Sequence, residues 1–274
     1  MDGNVEALLA GLGLGLGLGL VKAEVAELPG GLVSQVWSVR ARDGRDLVLR
    51  TTSRGTASYE AEHHLLARLR SVGAPVPAPV VGSWEVGGWS GPSASVTTRV
   101  PGKPLSPADY QGAALSLAQM ILLLQAVPVA GLRDRAARFG PGAWPWGPPP
   151  ADLPVPEALA VEARILLAGE PVVVHGDLHD GNLLWDGTRL HVIDFGDAFA
   201  GVPAWELGSL AYFLGDGLAQ QVARHQGTTV EPLATLAFAL HRLVVSDDDT
   251  QETAHAHSVI AGVLAQPTGQ RRRR

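Results

Sequence analysis

Residues Val172–Phe199 read VVVHGDLHDGNLLWDGTRLHVIDFGDAF. Val172–Val174 is a short apolar run that ends abruptly in His175-Gly176-Asp177, the pattern of a buried strand passing into a tight loop. Leu183-Leu184-Trp185 and Leu190-His191-Val192-Ile193 flank Asp186-Gly187, a strong short-range hairpin signal. The hairpin sets Asn182, just before its first strand, near Asp194, just after its second. Asp177 lies on the loop feeding Asn182. Singly, such residues are ordinary turn formers and caps. As an ordered set they offer hard oxygen ligands suited to Mg²⁺, which takes one or two carboxylates and leaves its other positions to water and phosphate oxygens. The spacing therefore points to a divalent metal held beside a nucleoside triphosphate.

The stretch resembles the catalytic core of the aminoglycoside phosphotransferase and choline kinase-like family, relatives of the protein kinases. Protein kinases carry H-R-D-x-x-x-x-N followed by D-F-G. Here the same spacing appears as His175-Gly176-Asp177-Leu178-His179-Asp180-Gly181-Asn182, then Asp194-Phe195-Gly196, and the glycine and further aspartate typical of the small-molecule branch stand at Gly176 and Asp197. The resemblance implies an α+β, bilobal protein-kinase-like fold with an antiparallel sheet lobe and a mostly helical lobe. It implies ATP and Mg²⁺ as cofactors. It also assigns roles: Asp177 orients and deprotonates the attacking hydroxyl, Asn182 and Asp194 hold the metal, and His175 supports the loop. Asp197 is read differently, as hydrogen-bonding the surrounding loop rather than contacting the phosphates.

Composition narrows the classes. With 274 residues and 46% hydrophobic content the chain can bury a substantial core. The net charge of −6 includes four arginines, Arg271–Arg274, so the remainder is more acidic still. That balance argues against nucleic acid as the main partner and is compatible with a cationic small molecule. There is no cysteine, which excludes disulfides, thiolate catalysis and a cysteine-bound zinc. Ala7–Val21 is apolar but short of the roughly 20 residues of a membrane span, and Asp2 and Glu6 precede it where a signal peptide needs positive charge. No membrane association and a cytoplasmic location are expected.

Within that stretch, Leu12–Leu20 is a Gly-Leu repeat. No strand precedes it and its spacing fits no phosphate-binding fingerprint, so low-complexity surface packing is expected. From Val21 the pattern changes to strands, Val21–Leu28, Leu32–Ala41 and Asp46–Thr51. Gly30-Gly31 through Ser34 lie between two of them, where the resemblance implies a loop over the triphosphate. Arg50 ends the third, at the place of the kinase lysine that pairs with phosphates. On the helix Tyr59–Val72, Glu62 shares a face with Leu65, Leu66 and Leu69, whereas Glu60 falls nearly opposite. A carboxylate on an apolar face needs a partner, and Arg50 is the natural one.

Gly73–Pro79 ends this helix and leads to strands near Val80–Glu85 and Ser93–Val100. Thr98, Arg99 and Val100 then resemble the family's hinge, whose backbone meets the adenine edge. Further on, helices are expected at Asp109–Ala126, Glu157–Ala168, Ala204–Leu214, Leu218–His225, Pro232–Val245 and Glu252–Leu264, with a long loop Phe139–Pro156 carrying Trp144 and Trp146. Asp247, Asp248, Asp249 and Glu252 form an acidic cluster able to receive an amine. These assignments place a nucleotide-binding lobe at 1–100, with a low-complexity leader at 1–20, a catalytic and substrate lobe at 101–265, and a frayed tail at 266–274.

The reading is ATP-dependent phosphoryl transfer to a hydroxyl of a small molecule resembling an aminoglycoside, choline or a sugar. Two rivals stand beside it. A nucleotide-binding pseudokinase would lack transfer, although no core residue is missing. A metal-dependent hydrolase would need His175, Asp177 and His179 alternating along a strand.

Overall fold

The computed structural model describes residues 2–16, 24–28, 34–41, 43–52, 57–132, 155–156, 159, 161–162, 166–245 and 250–266. Two compact units divide the chain, Met1–Pro101 and Gly102–Arg274. Gly30, Gly31, Trp144, Trp146, Asp247, Asp248, Asp249 and Arg271–Arg274 lie outside the described residues. The same holds for most of the expected loop Phe139–Pro156 and for much of the expected helix Glu157–Ala168.

In the first unit, β1 (Glu24–Leu28), β2 (Gln35–Arg40), β3 (Asp46–Thr52), β4 (Pro79–Gly82) and β5 (Ser93–Thr98) form one antiparallel sheet in the order β1-β2-β3-β5-β4. Alternation decides which face is apolar. Trp37 and Val39 of β2 pair with Leu49 and Leu47 of β3, all four are buried, and Leu49 in turn pairs with Val96 of β5. This core includes Val5, Leu9 and Leu12 of a helix, α1 (Asp2–Leu16).

The Gly-Leu repeat is therefore corrected. Its beginning is the buried end of a helix rather than surface packing, with Leu12 and Gly13 inaccessible. Residues spaced three and four apart reach the sheet face together, and the glycines allow close approach. A Cβ on Gly11 would stand 2.9 Å from Cζ3 of Trp89.

Helix α2 (Ala57–Ser71) turns Tyr59, Glu62, Leu65, Leu66 and Leu69 inward and leaves Glu60 exposed. The strand expected over Val80–Glu85 stops at Gly82, because Glu85 Oε1 accepts the Gly82 N–H at 2.9 Å and closes a 3₁₀ turn, Ser83–Glu85.

The second unit contains β6 (Lys103–Pro104), α3 (Tyr110–Ala126), β7 (Val172–Val174), β8 (Leu183–Trp185), β9 (Leu190–Val192) and β10 (Phe199–Gly201). It continues with α4 (Pro203–Leu214), α5 (Asp216–His225), α6 (Pro232–Val245) and α7 (Thr250–Ala265). The Asp186-Gly187 hairpin forms with Leu183 opposite Val192 and Trp185 opposite Leu190, and β6 adds beside β8. Asp186 Oδ1 accepts the N–H groups of Thr188 and Arg189 at 2.8 and 2.7 Å, and Gly187 takes φ 97°, a conformation that L side chains rarely adopt.

Trp205 on α4 anchors the core of this unit, edge-on to Phe199 and to Phe238 of α6. Helix α4 crosses α6 at Gly208, where a Cβ would fall 2.6 Å from the carbonyl of Ala234. An antiparallel sheet with two packed helices, α1 and α2, precedes a mostly helical unit, so the fold is α+β.

Candidate active site

The loop after β7 starts with His175, which is fully buried. Its Nε2 lies 2.9 Å from the carbonyl of Ile193, at the end of the hairpin, and its Nδ1 accepts the N–H of Asp177 at 3.3 Å. The imidazole thus ties Asp177 to the residue before Asp194. Burial pushes its pKa down, against the opposing pull of the Asp177 and Asp194 carboxylates, so the neutral ring is favoured.

Asn182 is buried and donates Nδ2 to the Asp177 carbonyl at 2.9 Å and towards Asp177 Oδ2 at 3.4 Å. Its own carbonyl accepts the Ile193 N–H at 3.1 Å. A flipped amide would set Oδ1 against two acceptors, so these bonds fix Oδ1 as the end turned away from Asp177. Asp194 adopts φ 60° and ψ 71°, alone among the described non-glycine residues at positive φ. Strained backbone of this kind gathers where surrounding structure imposes it for function. Asp177, Asn182 and Asp194 are thus gathered around His175, while Asp197 closes the 3₁₀ turn Phe195–Asp197. An amide oxygen and a carboxylate are the hard donors that Mg²⁺ prefers, so the residues present fit that ion.

In the first unit, Arg50 of β3 and Glu62 of α2 form an ion pair through Nη2 and Oε2. The side chains are 13% and 2% exposed. The Arg50 guanidinium also lies over the Tyr59 ring, 5.1 Å from its centroid, and the Tyr59 hydroxyl is 2.8 Å from Ser34 Oγ. Three of the sequence candidates, Ser34, Arg50 and Glu62, are therefore linked through one tyrosine. At the expected hinge, Thr98 exchanges bonds with Ala78, its N–H to the carbonyl at 2.9 Å and its Oγ1 with the N–H at 2.8 Å. Arg99 donates its N–H to Asp46 at 2.8 Å. Val100 makes no backbone hydrogen bond to the described residues.

The model of the phosphotransferase enzyme family, APH, matches residues 24–239. The chain belongs to this family. The phosphotransferase also shares its fold with solved structures at low identity. A thermostable mutant of aminoglycoside phosphotransferase APH(4)-Ia, in ternary complex with AMP-PNP and hygromycin B, aligns at TM-score 0.72 and 18% identity over 97% of this chain and 99% of that one. The GDP and kanamycin complex of APH(2″)-IIIa aligns at 0.66 and 18% over 94% and 98%. Amicoumacin kinase hAmiN, in complex with AMP-PNP, Ca²⁺ and Ami, aligns at 0.64 and 14% over 96% and 92%. No curated protein matches the chain in sequence. The protein is a phosphotransferase with an alcohol group as acceptor. Among the described residues, no helix is long and apolar enough to cross a membrane.

Two residues that sequence reading did not assign to phosphoryl transfer, Glu206 and His179, adjoin the candidate site. Glu206 of α4 is 1% exposed and accepts the N–H of His175 at 3.0 Å and of Gly176 at 3.3 Å. Burial, with a smaller push from Asp177, raises its pKa to about 7. The signal was a lone carboxylate within the apolar helix Pro203–Leu214, whose partners, being backbone, carry no letter. His179 of the loop faces Asp177 on one side and Phe213 on the other.

Beyond Phe213, a cavity of about 600 Å³ opens among α4, α5, α6 and α7, lined by Tyr212, Phe213, Asp216, Gln220, His255 and Val259 among others. Glu252 borders this region but is already paired, with Arg242 at 2.7 Å and the Tyr212 hydroxyl at 2.8 Å. Its charge is therefore met within the protein. The hydrolase rival loses its premise, because β7 ends at Val174 and both ring nitrogens of His175 are engaged.

Proposed function

We propose that the protein transfers the γ-phosphoryl group of ATP to a hydroxyl of a small molecule that occupies the cavity beside Phe213. Such transfer needs positioning and charge neutralisation more than covalent participation by the protein. Asp177 receives the proton of the attacking hydroxyl. Its backbone is held from two directions, N–H by His175 and carbonyl by Asn182, so the carboxylate is presented on a fixed loop. Asn182 and Asp194 would hold Mg²⁺, which when bound neutralises the phosphate oxygens. Arg50, oriented by Glu62 and Tyr59, takes the α- and β-phosphates, with Gly30, Gly31 and Ser34 contributing the covering loop. Backbone groups of Thr98–Val100 meet the base, with the N–H supplied by Val100, because the N–H groups of Thr98 and Arg99 donate elsewhere.

The acceptor's chemistry is read from the cavity. Its size suits a drug-sized molecule, its walls mix aromatic and aliphatic surface, and Asp216 supplies a carboxylate for a cationic group. The observation that carries the reading is the gathering of Asp177, Asn182 and the backbone before Asp194 around one buried histidine. Replacing Asp194 by Ala tests it: ADP release is abolished and Mg²⁺-dependent nucleotide binding weakens. Unchanged turnover in that variant overturns the assignment. A pseudokinase would bind nucleotide and release no ADP with any acceptor.

A further inference from the structure

His179 stands two residues beyond Asp177, and its two nitrogens have different partners. Nδ1 accepts the N–H of Gly181 at 3.0 Å, a donor it shares with Asp180 Oδ1, itself 3.6 Å from the ring. A nitrogen that accepts cannot carry the proton in the neutral ring, so the N–H is at Nε2. Nε2 lies 3.6 Å from Asp177 Oδ2. That is longer than a hydrogen bond, in keeping with the loose geometry of catalytic groups before substrate binds. Asn182 Nδ2 approaches the same oxygen at 3.4 Å. Two donors thus converge on Oδ2, and Oδ1 has no protein partner among the described residues. The ring rests edge-on against Phe213, centroids 5.7 Å apart, and Phe213 lines the cavity.

We infer that His179 is a positioning residue for phosphoryl transfer: its Nε2–H, together with Asn182, holds Oδ2 of Asp177 and so reserves Oδ1 for the acceptor hydroxyl. The inference rests on the reading of Asp177 as the proton acceptor. As the new oxygen–phosphorus bond forms, the hydroxyl proton passes to Oδ1, and the bridging oxygen leaves with the nucleoside diphosphate. A carboxylate free to rotate would offer either oxygen; one pinned at Oδ2 offers a single basic atom at a fixed place. Through Phe213, the same ring also sets the wall against which the acceptor packs, so base and acceptor share one support.

Two substitutions separate this role from a purely structural one. In His179→Asn the amide falls near the place of Nδ1, where it can take the Gly181 N–H but cannot reach Asp177. In His179→Gln the amide falls near the place of Nε2, where it can donate to Asp177 but leaves Gly181. Both variants are assayed for ADP release from MgATP with hygromycin B, kanamycin and choline as acceptors and with water alone, beside melting temperature and ADP affinity. The expected result is a kcat about tenfold higher for His179→Gln than for His179→Asn, with KM for ATP alike in the two. A residue that merely caps the turn Asp180–Asn182 gives the opposite order. Equal kcat values, or that opposite order, overturn the inference. Asp177→Asn is run alongside. If it turns over as the wild type does, the reading of Asp177 fails; if it is inactive and the two His179 variants are alike, the positioning role alone fails.

Discussion

Each unit of the molecule buries one carboxylate beside its functional residues, and the two are satisfied in different ways. Glu62 meets a guanidinium, Arg50, which is itself stacked on Tyr59. Glu206 meets two backbone N–H groups, of His175 and Gly176, and no cation among the described residues. A guanidinium keeps its charge at every accessible pH and retains donors for a second anion, which is what the proposed phosphate-binding role of Arg50 requires. Backbone donors have no charge to offer onward. The second arrangement fixes a loop, at the cost of a carboxylate pushed up to about 7. The same residue type serves as an orienting partner in one unit and as a scaffold in the other.

The sharpest way to break this contrast is Arg50→Ala, which takes from the buried Glu62 the guanidinium it pairs with. About 3–5 kcal/mol of stability is lost, read by chemical denaturation. The double change Arg50→Met with Glu62→Leu restores most of it while leaving ADP affinity low. If the double variant binds ADP as the wild type does, Arg50 is not a phosphate ligand.

Next comes pH. Between about 4.5 and about 7 the folded protein retains on Glu206 a proton that the unfolded chain has released. This contribution to stability is therefore full below 4.5 and is lost as pH rises through 7. Relative to Glu206→Gln, the wild type loses on the order of 3 kcal/mol across that window, measured by denaturant titrations at several pH values. A parallel pair of curves would show that Glu206 does not titrate there.

The first unit carries the opposite sign. His63, buried beside Ser95 Oγ at 2.8 Å and edge-on to Trp84, has its pKa lowered to about 4, first by burial and then by Arg50 and His64. Its contribution is present above 6.5 and lost as pH falls through 4. His63→Gln flattens that acid limb by about 3 kcal/mol, visible in the same titrations. The smallest effect is expected at Gly11→Ala, about 1–2 kcal/mol, because the added methyl meets Trp89. Gly11→Ala with Trp89→Leu recovers the loss.

Much of this was legible in the letters where local rules act. Asp-Gly between apolar runs placed the hairpin, and 3.6-residue periodicity chose Glu62 over Glu60. The failures share a different cause. Helix α1 has glycines where helix propensity is poor, and its stability comes from the sheet face and Trp89, which no window of the sequence contains. Glu206 bonds to backbone about thirty residues upstream, and backbone donors leave no trace in composition. That the N–H groups of Thr98 and Arg99 bond to the carbonyls of Ala78 and Asp46 was likewise out of reach of the letters, being a matter of register rather than residue type. The loop aspartate was evident from its motif; the histidine that faces it emerged only from which nitrogen accepts which N–H.

The close crossing of α4 and α6 at Gly208 reaches further than packing. Two residues before it on the same helix sits the carboxylate that grips the loop, so any methyl added at 208 would pry the helices apart and drag that grip with them. A saturation scan for surviving phosphotransferase activity would show this glycine as intolerant as Asp177, the proposed proton acceptor. The cause there would be room, with no chemistry involved.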